Sequence, residues 1–160
     1  MRRSTVLLVG SLFAATGLMV SCDDDDSTGP DEQYVVELTG ANEVPPRTTS
    51  ATATATITVV NETTINLDIT AQNLTLVTQA HFHAGIPGEN GTIIHGFLAN
   101  AAPSGPINGT LVSSTITPSS TFNGSFTFDS LLTRIRAGTT YLNVHTTTFP
   151  PGEIRGQVVP

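Results

Sequence analysis

The 160-residue chain has no lysine and no tryptophan, a single cysteine, and six basic residues against 13 acidic ones. Each scarcity removes a class of function. The formal net charge is −7, and beyond the first 32 residues the cations are Arg47, Arg134, Arg136 and Arg155. Nothing there forms a basic footprint for a phosphate backbone, so nucleic acid is excluded as a partner. One cysteine cannot close an internal disulfide, and the domain must stand on its apolar core. For stacking sugars the chain offers Tyr34, Tyr141 and seven phenylalanines, one of them in the N-terminal apolar run, which is a thin supply for a carbohydrate platform. There is no Gly-rich phosphate loop and no Gly-x-Ser-x-Gly elbow. No hydroxyl stands beside a histidine in an activating pattern, and Glu89, close to two histidines, sits in the turn-forming "PGENG". The chain is therefore not expected to be an enzyme.

What is present begins with "MRRSTVLLVGSLFAATGLMVSC". Arg2 and Arg3 form a positive start, Val6 to Val20 an apolar run too short for a stable membrane span, and residues 1–21 read as an export signal. The end of this stretch, "GLMVSC", resembles the lipobox of bacterial lipoproteins, which implies that Cys22 becomes the first mature residue and carries a lipid. Residues 22–32 add four consecutive aspartates with Ser, Gly and Pro, a composition that makes a solvated, self-repelling tether. These features predict an exported protein whose membrane partner is reached through lipidated Cys22, at the bacterial cell envelope. An acidic run there resembles a surface-export signal in some bacterial phyla, with the outer membrane or cell surface favoured, while in others an aspartate at that place implies inner-membrane retention. Residues 33–160 are long enough for one domain with one core.

Most of that domain alternates in hydrophobicity. In "SATATATITVVNETTINLDITAQNL", Ile57 and Val59 share one parity, and beyond a turn at Asn61 and Glu62 so do Ile65, Leu67 and Ile69. This predicts a hairpin with one buried face. Further short segments lie at Tyr34 to Leu38, Ala80 to Ala84, Thr92 to Leu98, Thr110 to Ile116, Ser125 to Phe128, Tyr141 to His145 and Glu153 to Val159. About nine strands at this spacing predict an all-β antiparallel β-sandwich, immunoglobulin-like or barrel-like. "SLLTRIRAG" breaks the pattern and predicts one short helix near 130–137, capped by Ser130 and ended by Gly138. Five Asn-x-Ser/Thr triplets follow from a surface rich in Thr and Asn.

Side chains two apart in a strand share a face. In "AHFHA", Phe82 belongs to the core, so His81 and His83 project together from the other side. In "TTYLNVHT", Leu142 and Val144 face the core and Tyr141, Asn143 and His145 face away. In "GEIRGQVV", Ile154 and Val158 leave Glu153, Arg155 and Gln157 on the outer side. If the three segments are neighbours, one face gathers three histidines with a set of hydrogen-bonding groups.

The stretches "LTGANEVPP", "AHFHAGIPGENG", "YLNVHT" and "PGEIRGQV", in that order, resemble the successive motifs of the CHRD domain, found in animal chordin and as a single copy behind a signal peptide in many microbial proteins. The resemblance spans nearly all of the domain from residue 33. It implies an extracellular β-sandwich-like fold and, because chordin places such domains among modules that engage secreted proteins, a binding role toward an extracellular or envelope protein. His95, in "TIIHGFL", departs from the apolar strand usual at that place, and no family role extends to it.

The polar face supports two readings. As a structural network, Arg155 pairs with Glu153 while Tyr141, Asn143 and Gln157 satisfy neighbouring groups and the imidazoles donate to oxygens, which fixes strand register in a non-catalytic binding or structural module. As a metal site, His81, His83 and His145 hold copper or zinc through a His-x-His pair and a third imidazole. That layout is similar to copper-zinc superoxide dismutases in arrangement alone, since their bridging histidine, zinc loop and disulfide cysteines have no counterpart here. An Arg155 guanidinium at the point where the imidazoles meet would exclude a cation.

Overall fold

The computed structural model describes residues 31–98 and 105–160. Eight strands and one helix follow one another in it: β1 (Glu32–Thr39), β2 (Thr52–Asn61), β3 (Thr64–Leu74), β4 (Val77–Ala84), β5 (Ile93–Leu98), β6 (Ile107–Ile116), α1 (Phe128–Arg136), β7 (Thr140–Thr146) and β8 (Ile154–Gln157). The expected export signal, the expected lipidation site Cys22 and nearly all of the expected acidic tether lie outside the described residues. No helix among the described residues is long and apolar enough to cross a membrane.

The alternation that predicts strands also sets their inner face. In β2 and β3, Ala53, Ala55, Ile57 and Val59 turn inward against Ile65, Leu67, Ile69 and Ala71, and the register pairs them directly. All eight strands join one antiparallel sheet in the order β5-β4-β7-β8-β1-β2-β3-β6. The sheet curls until its two edge strands, β5 and β6, bring Cα atoms within 8 Å of one another, a nearly closed barrel. Register shifts along the β2–β3, β3–β6 and β4–β5 ladders mark bulges, which add the local bend that curling requires. Leu38, Ala53 and Ala71 stand in one row across β1, β2 and β3, and their mostly small side chains suit a tapering interior. The all-β, barrel-like architecture with one short helix is thus the fold that strand spacing predicts.

Two details differ. Eight strands form rather than about nine, because Ser125 to Phe128 is no strand: Thr127 is the N-cap of α1 and Phe128 its first residue. The cap also lies three residues before Ser130, the expected position. Thr127 Oγ1 accepts from the Ser130 N–H at 3.2 Å and Ser130 Oγ accepts from the Thr127 N–H at 2.9 Å, a reciprocal capping box. Ser130 therefore completes the box from inside the helix. Gly138, at φ 66°, ends α1 as expected. Phe128, Leu131, Leu132 and Ile135 place the helix in the same core as the strands. Its C-terminal end is tied by Arg136 to Glu32 and Glu62, both at 2.6 Å, an exposed network that orients more than it stabilises.

Candidate metal centre

β4 lies between β5 and β7, and β8 follows β7, so the three segments carrying the polar face are neighbours. The register sets His81 opposite Asn143, His83 opposite Tyr141 and Gln79 opposite His145. It then sets Asn143 opposite Arg155 and Tyr141 opposite Gln157. Ala80 and Phe82 enter the core from the other side of β4. The face is outer with respect to the barrel, yet it is not solvated: His81, His83 and His145 are at most 9% exposed and Arg155 only 2%. The β4–β5 loop, the β1–β2 loop and the β7–β8 loop supply the cover through contacts to Arg155, Asn143 and His145.

The three imidazoles converge. Their ligand atoms lie within 4.8 Å of one another, with His81 Nδ1 3.0 Å from His145 Nε2. Backbone carbonyls, which only accept, decide where the ring protons sit. His145 Nδ1–H donates to Pro150 O at 2.8 Å and His83 Nδ1–H to Gly91 O at 2.9 Å. In a neutral ring the other nitrogen then carries a lone pair. His145 Nε2 accepts from His81 Nδ1–H, whereas His83 Nε2 is buried with no hydrogen-bond partner. A buried acceptor without a donor carries an uncompensated desolvation cost, and metal coordination is one way to satisfy it.

Burial keeps these rings neutral, the form a metal requires. The His81 pKa is pushed down to about 4, chiefly by burial and further by His145, His83 and His95. Burial also lowers the pKa of His83 and of His145, partly offset by the bonds to Gly91 and Pro150. The carbonyl partners hold the tautomers that expose Nε2 of His83 and His145, as outer-sphere partners of metal-binding imidazoles do. Three nitrogen donors without a thiolate suit copper or zinc, with a coordination position left over. The donor set fits such an ion once the His81 proton moves from Nδ1 to Nε2. The His81 ring lies beside Gly96, where a Cβ would come within 3.3 Å of its Cδ2 and 3.9 Å of its Nε2.

Arg155 does not stand where the imidazoles meet. Its guanidinium lies 3.5 Å from the Tyr141 ring centroid, and the opposite neighbour of that ring is His83, stacked at 4.8 Å and 8°. Arg155 Nη2 donates to Glu89 O at 2.8 Å and Ile86 O at 3.4 Å, and Nη1 to Asn90 Oδ1 at 3.3 Å. The condition that would have excluded a cation is not met.

The expected Arg155–Glu153 pair does not form. Glu153 instead accepts from Thr49 Oγ1 at 2.6 Å and Thr146 Oγ1 at 2.7 Å, because it lies before β8 and meets the β1–β2 loop. Asn143 Nδ2 donates to Glu43 Oε1 at 2.6 Å, and Gln157 Nε2 reaches the carbonyls of Gly85, Gly138 and Thr140. Tyr141 OH accepts from the Gly91 N–H at 3.1 Å. Glu89 has an exposed side chain and contributes its carbonyl, so it is no base for the histidines.

Sequence reasoning missed Glu43, which is buried and whose pKa burial raises. Its presence in "LTGANEVPP" was the available signal. Gly91, in the turn-forming "PGENG", also holds His83 through its carbonyl, and a Cβ there would overlap the Ala84 carbonyl. His95 is buried, donates Nδ1–H to Thr121 O at 2.7 Å and packs on Phe122; it is outside the converging trio.

The family model described as CHRD domain matches residues 34–158. Comparison with curated proteins and with solved structures gives no match.

Proposed function

The chain belongs to the CHRD family, whose domains are non-catalytic structural or binding modules, and on that premise we propose that this one binds a single copper or zinc ion through His81, His83 and His145. The observation that carries the reading is His83 Nε2, a buried lone pair without a donor, on a ring whose cluster partners His81 and His145 share a hydrogen bond at 3.0 Å. The ion would take the place of that hydrogen bond, with the His81 proton shifted to Nε2, and join all three nitrogens. Its role would be to lock β4 to β7 beneath the covering loops and to offer one further position to a ligand.

The same proposal places the module at the bacterial cell envelope, exported and lipid-anchored through Cys22. Support for that placement comes from the sequence alone: the two N-terminal arginines, the apolar run, the lipobox-like "GLMVSC" and the aspartate tether.

The test is metal content and thermal stability of the full chain, before and after chelation and on adding copper or zinc. One ion per chain is expected. A free ion at 100 times its Kd should stabilise the fold by about 2.7 kcal/mol. His83→Ala should abolish that ion-dependent rise. Absence of ion and of any shift would refute metal binding and leave the histidines as register-fixing groups.

A further inference from the structure

A cavity of about 560 Å³ opens between the β1–β2 and β4–β5 loops, over the seam between β1 and β8. Pairing is thin along this seam: Thr39 and Arg155 are its one register pair. Continued antiparallel from there, the strands set Glu37 across from Gln157 and Val35 across from Val159. The lining is mixed: its apolar part is Val44 and Pro46 from one loop, Pro87 from the other and Val159 beyond β8, beside Glu37, Glu43 and Gln157. Among the described residues the exposed large hydrophobics are Val35, Leu76, Ile86 and Val159. Val159 lines the cavity, while Ile86 is the chain neighbour of the lining Pro87 and Val35 shares the outer face of β1 with the lining Glu37. Apolar side chains left in water around one concavity mark an interaction surface rather than scattered exposure.

Charge narrows the occupant. Glu37 and Glu43 both line the cavity, and the cation among the lining residues, Arg155, is turned toward the Tyr141 ring and the carbonyls of Ile86 and Glu89. Glu37 is exposed and accepts a hydroxyl, from Thr54 at 3.0 Å, so its charge faces the opening uncompensated by that bond. The chain as a whole carries −7.

We propose that this cavity docks a basic side chain of a partner protein, an arginine or lysine flanked by aliphatic residues in an extended segment. Its methylene stem lies along Val44, Pro46 and Pro87 while its charged head meets Glu37. Long basic side chains divide in this way between apolar wall and polar head. Val35, Ile86 and Val159 receive the aliphatic neighbours, and the negative chain steers the encounter. The site stands apart from the histidines and does not depend on an ion there.

The probe is a blocked tripeptide, acetyl-Val-Arg-Val-amide, titrated into the isotopically labelled full chain, with acetyl-Val-Glu-Val-amide as its charge-reversed counterpart. The arginine peptide should shift the amides of Glu37, Val44, Gly88 and Val159 saturably, and the glutamate peptide should not. Glu37→Lys and Val159→Asp, both at exposed positions whose folding a thermal melt verifies, should each weaken binding by about tenfold or more. Raised salt should weaken it in the parent chain. Equal binding of the two peptides, shifts confined to another region, binding undiminished in both variants, or no saturable shift up to roughly 10 mM peptide would overturn the proposal.

Discussion

β2 and β7 are strands of one sheet, yet they meet their surroundings in opposite ways. β2 alternates between buried and accessible residues along nearly its whole length, while every residue of β7 from Thr140 to Thr146 is buried. Both inner faces pack aliphatic side chains, Leu142 and Val144 in β7, where Thr140 and Thr146 of the same parity are buried as well. The outer faces separate them: Thr54, Thr56 and Thr58 of β2 meet water or polar neighbours, whereas Tyr141, Asn143 and His145 of β7 lie under loops. A threonine hydroxyl at the surface has water as a partner at no cost. A buried imidazole, amide or guanidinium has only the protein to supply its partners, and His83 Nε2, Asn143 Oδ1 and Gln157 Oε1 are left without one. One half of the barrel therefore uses its outer face for solubility, and the other half spends it on a polar interior with fixed geometry.

The sharpest way to break this contrast is to remove the buried cation. Arg155→Ala deprives the carbonyls of Glu89 and Ile86 and the Asn90 side chain of their donor, and it uncovers the Tyr141 ring. A loss of about 2–4 kcal/mol is expected. Chemical denaturation of the metal-free chain measures it, and an unchanged midpoint would show that the covering loops hold without the guanidinium.

Acid is the second probe, because it acts on the covered half. In the metal-free chain His81, His83 and His145 titrate below the ordinary histidine value, His81 at about 4. Between pH 6.5 and 4 the unfolded chain binds more protons at these sites than the folded chain does, so stability is full above the unfolded value and falls as pH drops toward 4. Glu43, raised by burial, works in the opposite sense but is one group against three. Melting temperature against pH should fall through this window, and His81→Gln should make the fall shallower. A flat profile would mean that the rings are protonated as easily folded as unfolded.

The smallest effect is expected on β2. Thr56→Ala, on the outer face opposite Asp68, should change stability by no more than about 0.5 kcal/mol in the same denaturation assay. A cost approaching that of Arg155→Ala would erase the distinction between the halves.

Much of this was legible beforehand. Parity alone put His81 with His83 and joined Tyr141, Asn143 and His145, because a strand's side chains alternate whatever surrounds them. The hairpin of β2 and β3 followed from the same rule. Parity was also enough to place Glu153 near Arg155, but not to pair them: Glu153 precedes β8 and turns to Thr49, which is 104 residues distant in sequence. Glu43 bonds Asn143 across 100 residues, a contact that no local pattern encodes. The Thr127 cap was hidden by Ser130, since both residues are good caps and each in fact serves the other.

The sequence by itself determined the strand faces, the core composition, the family and the set of side chains that would share an outer surface, because these depend on residue type and a period of two. Only the tertiary structure decided that this surface is buried, that Gly91 and Pro150 carbonyls fix the ring protons, that His83 Nε2 is left without a donor, and that Arg155 stands behind Tyr141 instead of among the imidazoles. Those outcomes depend on where loops far apart in the chain come to rest, and a loop is placed by the partners it finds across the barrel, not by the pattern of its own residues.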